Sequence, residues 1–247
     1  MKKRTDSFLH DLPFFADLPE ADMQAFLQAS QMREYKKHES IFLQGDTANR
    51  FFVVMDGWVE LYRDTSEGEE AVSALFARGD VFGEAAIFGS AEYPFSAKAA
   101  EETHLLEIPE AILHRQAKKN PDIMARVMSS MSREIRSLQI ENEHLALMSA
   151  PQRVGCLLLQ LSGRMMGTGG TFSFPYDKSL AAARLGMKPE TFSRALSQLK
   201  PFGVTVKGSE VAIDSFSKLS CYCCVHCSAL AGECRNAHGI SCLKKPL

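Results

Sequence analysis

The 247-residue sequence predicts an α+β fold in three parts: a β-rich N-terminal half, one long helix, and a C-terminal pair of short helices followed by a hairpin. Glycine-containing turn signals recur every 11 or 12 residues between Gly45 and Asp80, which indicates short antiparallel strands. Beyond Pro121 the apolar spacing becomes helical. With 45% hydrophobic and 23% charged residues, the composition fits a folded globular chain and argues against disorder.

Residues 1–120 are assigned to a β-roll domain. Runs rich in β-branched and aromatic residues occupy 40–43, 51–55, 58–62, 72–76 and 103–108. Their spacing suits a compact antiparallel roll of hairpins, with a small β-sandwich as the alternative.

Residues 121–148 are expected to form a dimerisation helix. A narrow stripe, called the dimer stripe below, follows alternating steps of four and three: Met124, Met128, Met131, Ile135, Leu138, Asn142 and Leu145. This is the spacing of a coiled-coil seam, in which a single polar residue fixes the register. Charged flanks favour a homodimer over packing of this stripe on its own domain.

Residues 149–215 are assigned to a winged helix-turn-helix. Pro151 ends the long helix, and residues 180–196 form two short helices around a turn at Gly186, which supplies a positive φ. Pro189 suits the first turn of the second helix. A hairpin is expected at residues 203–213. The buried face of the second helix is predicted from its spacing to contain Phe192, Ala195, Leu196 and Leu199.

The opposite face of that second helix carries Glu190, Ser193 and Arg194 near its N-terminus, where a helix of this motif meets base edges. Arginine grips guanine with two hydrogen bonds, and glutamate accepts from an exposed base amino group. An ordinary surface ion pair between Glu190 and Arg194 is the alternative, but the neighbouring turn and hairpin favour DNA reading. Residues 151–214 hold 8 basic against 4 acidic residues, whereas residues 1–150 hold 16 against 25. The expected phosphate contacts are Lys178, Lys188, Lys200 and Lys207.

From about Phe14 to Ile213 the chain resembles the CRP/FNR family of bacterial transcription regulators. The resemblance rests on the segments Gly57-Trp-Val-Glu-Leu61, Phe82-Gly-Glu-Ala85 and Pro189-Glu-Thr-Phe-Ser-Arg194. It implies a cyclic-nucleotide-binding-like β-roll sensor, a dimerisation helix and a DNA-binding winged helix-turn-helix. It further implies that Glu190, Ser193 and Arg194 read TTGAT-type half-sites of double-stranded DNA, that a homodimer binds an inverted repeat as a transcription activator or repressor, and that RNA polymerase is a partner.

The sequence motif that binds cAMP in members of the family is altered in this chain. In cAMP-binding members an Arg-Ser/Thr-Ala run neutralises the cyclic phosphate, whereas this chain reads Tyr93-Pro-Phe-Ser-Ala97, with Phe95 in place of the arginine. A buried phosphate without a charged partner is costly, so cAMP binding is expected to be lost. No cysteine precedes Cys156, so the N-terminal iron–sulfur site of FNR is missing as well. Similarity to the haem-binding branch makes His10 a candidate axial ligand, although a lone histidine is more often an ordinary surface residue.

Residues 216–247, called the cysteine tail below, lie beyond this resemblance. Six thiols with interleaved histidines indicate a soft metal, as an iron–sulfur cluster or zinc, or else reactive thiols without metal. The candidate ligands are Cys221, Cys223, Cys224, Cys227, Cys234 and Cys242.

The sequence therefore predicts a DNA-binding regulator that responds to a redox or gas signal through the cysteine tail. The alternative is a metal-binding or thiol redox protein that uses the helix pair to contact other proteins. No nucleophile–base, Walker or dinucleotide motif is present, so we expect no enzyme. No apolar run is long enough to span a bilayer, which predicts a cytoplasmic protein without membrane contact.

Overall fold

The computed structural model describes residues 7–65, 70–166 and 170–224, with the side chains of 164–166 excepted. The chain divides into two compact units, Met1–Glu134 and Ile135–Leu247. The expected partition placed the whole long helix, 121–148, in a segment of its own. The structure instead assigns its first turns to the roll, because Ile123 and Val127 are almost fully buried in the core of the first unit.

The first unit contains two four-stranded antiparallel sheets within its described part. One sheet has the order β1-β8-β3-β6 and the other β2-β7-β4-β5. The strands are β1 (Gln31–Tyr35), β2 (Ser40–Phe42), β3 (Arg50–Asp56), β4 (Trp58–Asp64), β5 (Glu70–Ala77), β6 (Val81–Phe82), β7 (Ser96–Ala99) and β8 (Thr103–Pro109).

This unit also contains helices beside its two sheets. They are α1 (Glu20–Ala29), α2 (Glu84–Phe88), α3 (Glu110–Lys119) and the beginning of the long helix α4 (Asp122–Leu147). The five predicted strands are all present, with each end within two residues of its expected position. Strands β1, β6 and β7 were not predicted. Strand β1 was missed because Gln31–Tyr35 is polar and has one fully buried side chain, Tyr35.

The second unit continues from α4 into the helix-turn-helix. Its elements are α5 (Ala150–Met166), β9 (Gly170–Ser173), α6 (Lys178–Arg184), α7 (Pro189–Gln198), a short 3₁₀ turn (Lys200–Phe202), β10 (Val204–Lys207), β11 (Glu210–Ile213) and α8 (Phe216–Cys223). The hairpin β10–β11 was predicted, and β9 joins it to give an antiparallel sheet of order β10-β11-β9.

Helix α8 differs from the expected boundary at residue 215. The first part of the cysteine tail is a helix that packs on α5, so the folded domain continues through Cys223. The contact is close because Gly155 has no side chain: a Cβ there would lie 2.3 Å from Cys223 Sγ. Cys223 is fully buried at this contact, which places it in the domain core.

Within the described ranges, no helix is long and apolar enough to cross a membrane.

Candidate DNA-binding site

The helix pair predicted at 180–196 is present as α6 and α7. Gly186 adopts a φ of +60° in the turn between them, a conformation that favours glycine. The turn closes where Met187 N donates to Ala182 O at 2.9 Å, and Ala182 itself is fully buried. Pro189 begins α7, where its missing N–H leaves no helix hydrogen bond unmade. Helix α7, called the reading helix below, is therefore held at a fixed angle to α6.

The reading helix is strongly amphipathic, with one face buried and the opposite face exposed. Its inner face is buried as predicted, with exposed fractions below 8% for Phe192, Ala195, Leu196 and Leu199. Glu190, Ser193 and Arg194 are all exposed on the outer face of the first two turns. Arg194 Nε lies 3.3 Å from the main-chain carbonyl oxygen of Glu190. Across the described residues, the two side chains form no ion pair, so both are presented to solvent.

The predicted phosphate-binding lysines surround this face. Lys188 is the exposed residue that precedes the reading helix, and Lys200 follows its end. Lys207 is exposed at the tip of the β10–β11 hairpin, where Gly208 has a φ of +60°. Lys178 is half-buried, with its Nζ 5.9 Å from the centre of the Phe174 ring. Three of the four ammonium groups are thus available to a polyanion beside the reading helix.

Two further arginines make long-range contacts close to the turn before the reading helix, and the sequence pattern gave no signal for either. Arg153, on α5, donates from Nη1 to the carbonyl oxygen of Leu185 at 2.9 Å. Burial lowers the pKa of its guanidinium. Arg184, the last residue of α6, donates from Nη2 to the Glu141 carboxylate on α4. Both contacts join residues more than 30 positions apart, which local periodicity cannot reveal.

The dimer stripe lies on the solvent side of α4. Its apolar members are substantially exposed, with fractions of 65% for Met128, 56% for Ile135, 50% for Leu138 and 59% for Leu145. Met124 is half-buried and Asn142 exposed. The face that packs on the roll is a different one, formed by Ile123 and Val127. An exposed apolar stripe of this length on a helix marks an interaction surface.

The interior of the roll beside Gly83 is filled with aromatic rings. Phe42 stacks on Tyr93 with 3.7 Å between ring centres, and Phe52 stacks on Phe82 at 5.0 Å. A side chain at Gly83 would meet Phe52 and Tyr93 at about van der Waals distance, 3.4 and 3.5 Å. The ring of Phe95 lies under the Arg63 guanidinium, with 4.8 Å between Arg63 Cζ and the ring centre.

Glu84, at the start of α2, is a buried carboxyl with an exposed fraction of 7%. It accepts a hydrogen bond from Ser130 Oγ on α4 at 3.1 Å. Burial raises its pKa above the ordinary value of 4.5, and the hydrogen bond from Ser130 partly opposes that rise. The carboxyl therefore ties the roll to the first turns of α4.

Replacing Glu84 with glutamine tests this burial. Because the folded-state pKa is raised, the folded state binds the proton more tightly than the unfolded chain. That contribution to stability is full below the unfolded pKa and is lost as pH rises through the folded pKa. Glutamine keeps an acceptor for Ser130 and carries no charge, so its contribution does not change with pH. The Tm of Glu84→Gln minus that of wild type is therefore expected to be about 2–4 °C larger at pH 8 than at pH 4.5. Thermal unfolding at both pH values measures this, with exposed Glu92→Gln as control; an equal Tm difference at the two pH values would contradict the assignment.

The remaining candidate ligands are placed as follows. His10 is half-buried, with Nε2 3.8 Å from the Glu20 carboxylate. Cys221 is exposed, Cys224 half-buried and Cys223 buried. Cys227, Cys234 and Cys242 lie outside the described residues. Among the described residues, no group of three or more His, Cys, Asp and Glu side chains has metal-binding geometry.

Two family profiles match the chain: a cyclic nucleotide-binding domain at residues 32–120 and a Crp-like helix-turn-helix domain at residues 152–222. Transcriptional activator protein FnrA of Stutzerimonas stutzeri is 31% identical over 185 residues, covering 73% of this chain and 75% of that protein. The cyclic AMP receptor protein of Thermus thermophilus is 30% identical over 196 residues, covering 79% and 89%. A solved structure from Ruegeria pomeroyi DSS-3, described as a candidate cyclic nucleotide binding protein, has a TM-score of 0.68 and 36% identity, covering 90% of this chain and 97% of that one.

A β-roll, a long helix and a Crp-like helix-turn-helix in this order define a DNA-binding transcription regulator and not an enzyme. The chain belongs to the CRP/FNR family, since it shares 30–31% identity with family members over at least three quarters of their length. Relatives at 31% and 30% identity carry different names, FnrA and cyclic AMP receptor protein, so identity alone does not select the signal.

Proposed function

We propose that this regulator reads TTGAT-type half-sites through Glu190, Ser193 and Arg194. The observation that carries the proposal is the two-sided reading helix, which buries Phe192 and Leu196 and exposes all three candidate readers on its first two turns. Arg194 is suited to guanine, and Glu190 to a cytosine or adenine amino group. Lys178, Lys188, Lys200 and Lys207 supply phosphate contacts that position the helix without reading sequence. RNA polymerase is the expected partner of the DNA-bound protein.

The proposed DNA-binding form is a homodimer, with a second copy of this chain covering the dimer stripe. Alternating steps of four and three are the spacing at which two identical helices interlock side chains. The stripe is exposed, whereas the other apolar face of α4 is already occupied by the core of the roll. Asn142 is the one polar member, and pairing with its own copy fixes the register. A dimer presents two reading helices to an inverted repeat.

Binding of purified full-length protein to TTGAT-N4-ATCAA tests this proposal. Fluorescence anisotropy at fixed salt is expected to give an affinity at least about 1,000-fold higher for this duplex than for a scrambled duplex of equal composition. Equal affinity for the two duplexes would show that binding is only electrostatic and would overturn the assignment.

The proposed signal is a redox change or a diatomic gas sensed by the cysteine tail. Thiolates fit a soft centre, either an iron–sulfur cluster or zinc, and an iron–sulfur centre would supply chemistry that responds to oxygen or nitric oxide. The exposed Cys221 and half-buried Cys224 lie one helical turn apart at the end of α8 and suit such a role together with Cys227, Cys234 and Cys242. Haem held by His10 is supported less well, because its Nε2 already lies near the Glu20 carboxylate.

Measuring the metal content of cysteine variants distinguishes the candidate ligands Cys221 and Cys224 from the buried Cys223. Cys223 fills the space above Gly155, so its expected role is packing. We expect Cys221→Ser/Cys224→Ser to lower the bound iron or zinc at least about twofold, since thiolates are strong ligands of both metals and a serine hydroxyl is not. Cys223→Ala is expected to keep the metal and to lower Tm, because it opens a small cavity in the core.

The measurement is iron, zinc and acid-labile sulfide per chain after anaerobic purification, with Tm determined on the same samples. A Cys223→Ala protein that lost its metal, beside a double serine variant that kept it, would reverse the assignment. Colourless wild-type protein without iron would eliminate the iron–sulfur alternative.

A further inference from the structure

Among the described residues, an ion pair joins the helix-turn-helix to the long helix. Glu141, in the last turns of α4, accepts from Arg184, the final residue of α6. The two side chains are partly shielded from water, with exposed fractions of 34% and 21%. An ion pair with this degree of shielding is screened less by salt than a fully exposed one.

Arg184 of this pair lies close to the start of the reading helix along the chain. Only Leu185, Gly186, Met187 and Lys188 separate Arg184 from the start of α7. On the other side of the turn, Arg153 holds the Leu185 carbonyl oxygen at 2.9 Å. The part of the chain from α5 to the β10–β11 hairpin is called the DNA-binding head. Arg153 joins the turn to α5, which belongs to this head. Arg184 joins the turn to α4, the helix that carries the dimer stripe.

We propose that the Glu141–Arg184 pair sets the half-site spacing that the dimer accepts. The inference rests on the proposed homodimer and its reading of an inverted repeat. Glu141 lies between Leu138 and Leu145 of the dimer stripe, so docking of a second copy fixes its position relative to the partner helix. The connection of residues 148–149 between α4 and α5 is short but non-helical. With the ion pair in place, each reading helix has one orientation relative to α4, and the distance between the two readers is set.

Loss of the pair would leave each half-site contact intact and free each head to turn about residues 148–149. Once one DNA-binding head is bound, a second head that can turn freely has a lower effective concentration at its half-site, because its orientation must be fixed as it binds. Affinity at the optimal spacing therefore falls. The same looseness lets the dimer reach spacings that the rigid dimer rejects. The expected signature is a flatter dependence of affinity on spacer length, which a general loss of stability does not produce.

The experiment compares full-length wild type, Glu141→Gln, Arg184→Gln and the charge swap Glu141→Arg/Arg184→Glu. Ser129→Lys is the matched control, since it changes the charge of α4 by the same unit at an exposed position off the dimer stripe. Dissociation constants are measured for TTGAT-Nx-ATCAA duplexes with x of 3, 4 and 5, and for a single half-site. Wild type and Ser129→Lys are expected to prefer one spacer by about 100-fold, and the two glutamine variants by about tenfold or less. The charge swap is expected to recover most of the preference, and half-site affinity is expected to stay within about threefold throughout.

Glutamine variants with the wild-type spacer profile would overturn the inference and leave the proposed function standing. Loss of half-site binding together with repeat binding, without recovery in the charge swap, would also overturn it, because the reading head itself would then be damaged. Wild-type protein that does not distinguish TTGAT repeats from scrambled DNA would remove both the proposed function and this inference.

Discussion

Arg194→Ala is expected to weaken sequence-specific DNA binding by at least about 30-fold while leaving the fold intact. A bidentate arginine–guanine contact contributes about 1–3 kcal/mol of discrimination, and a homodimer makes the contact in both half-sites. The combined loss is therefore about 2–6 kcal/mol, or roughly 30-fold to 20,000-fold in the dissociation constant for TTGAT-N4-ATCAA. The side chain is exposed, so truncating it removes little packing.

The control for this substitution is Gln198→Ala, at an exposed position on the last turn of the same helix. It is expected to bind the specific duplex with wild-type affinity, and both variants are expected to keep the wild-type Tm. An Arg194→Ala protein that bound the specific and scrambled duplexes as wild type does would show that this arginine reads no base.

Ile135→Glu is expected to separate the dimer. In a paired helix the two new carboxylates face each other within an apolar seam, where an unpaired charge is expensive. We expect the dimer dissociation constant to rise by about 100-fold or more, and the affinity for the inverted repeat to fall to that of a single half-site. Sedimentation equilibrium and anisotropy on the same samples measure the two effects.

Ser129→Glu introduces the same carboxylate at an exposed position of α4 off the dimer stripe and is expected to remain dimeric. Since Ile135 is 56% exposed in the single chain, Ile135→Glu is also expected to remain folded. If the Ile135→Glu protein stayed a dimer of unchanged affinity, the second copy would have to dock on another surface.

Local patterns predicted the elements whose folding depends on near neighbours. The reading helix followed from its spacing, since Phe192 and Leu199 are buried and Arg194 is exposed as expected. Five strands of the roll followed from their β-branched runs and turn residues. The end of α4 at Leu147 and the new helix at Ala150 agree with the proline signal at Pro151.

Features fixed by distant residues were not predictable in this way. Strand β1 is polar and becomes a strand because β8, about 70 residues later, supplies its hydrogen bonds. Cys223 looks like one more ligand of a thiol cluster until α8 packs on α5 and its Sγ is seen against Gly155. The Glu141–Arg184 pair joins two helices 43 residues apart and has no sequence signature.

The β-roll retains a motif of the family, and its side chains make buried contacts within the first unit. The Phe82-Gly-Glu-Ala85 segment is present, yet Glu84 is buried and bonded to Ser130 on α4. Neighbouring aromatic rings stack where the segment turns. Loss of cAMP binding stays a prediction from the sequence, and the proposed signal is the one sensed by the cysteine tail.

The most direct test of base reading changes the protein and the DNA together. The guanine·cytosine pair of each TTGAT half-site is replaced by adenine·thymine, and affinity is measured for wild type and Arg194→Ala on both duplexes. If Arg194 reads that guanine, the base change costs wild type about 1–3 kcal/mol per half-site and costs Arg194→Ala almost nothing. A base change that weakened both proteins equally would contradict the assignment of Arg194 as the residue that reads this base.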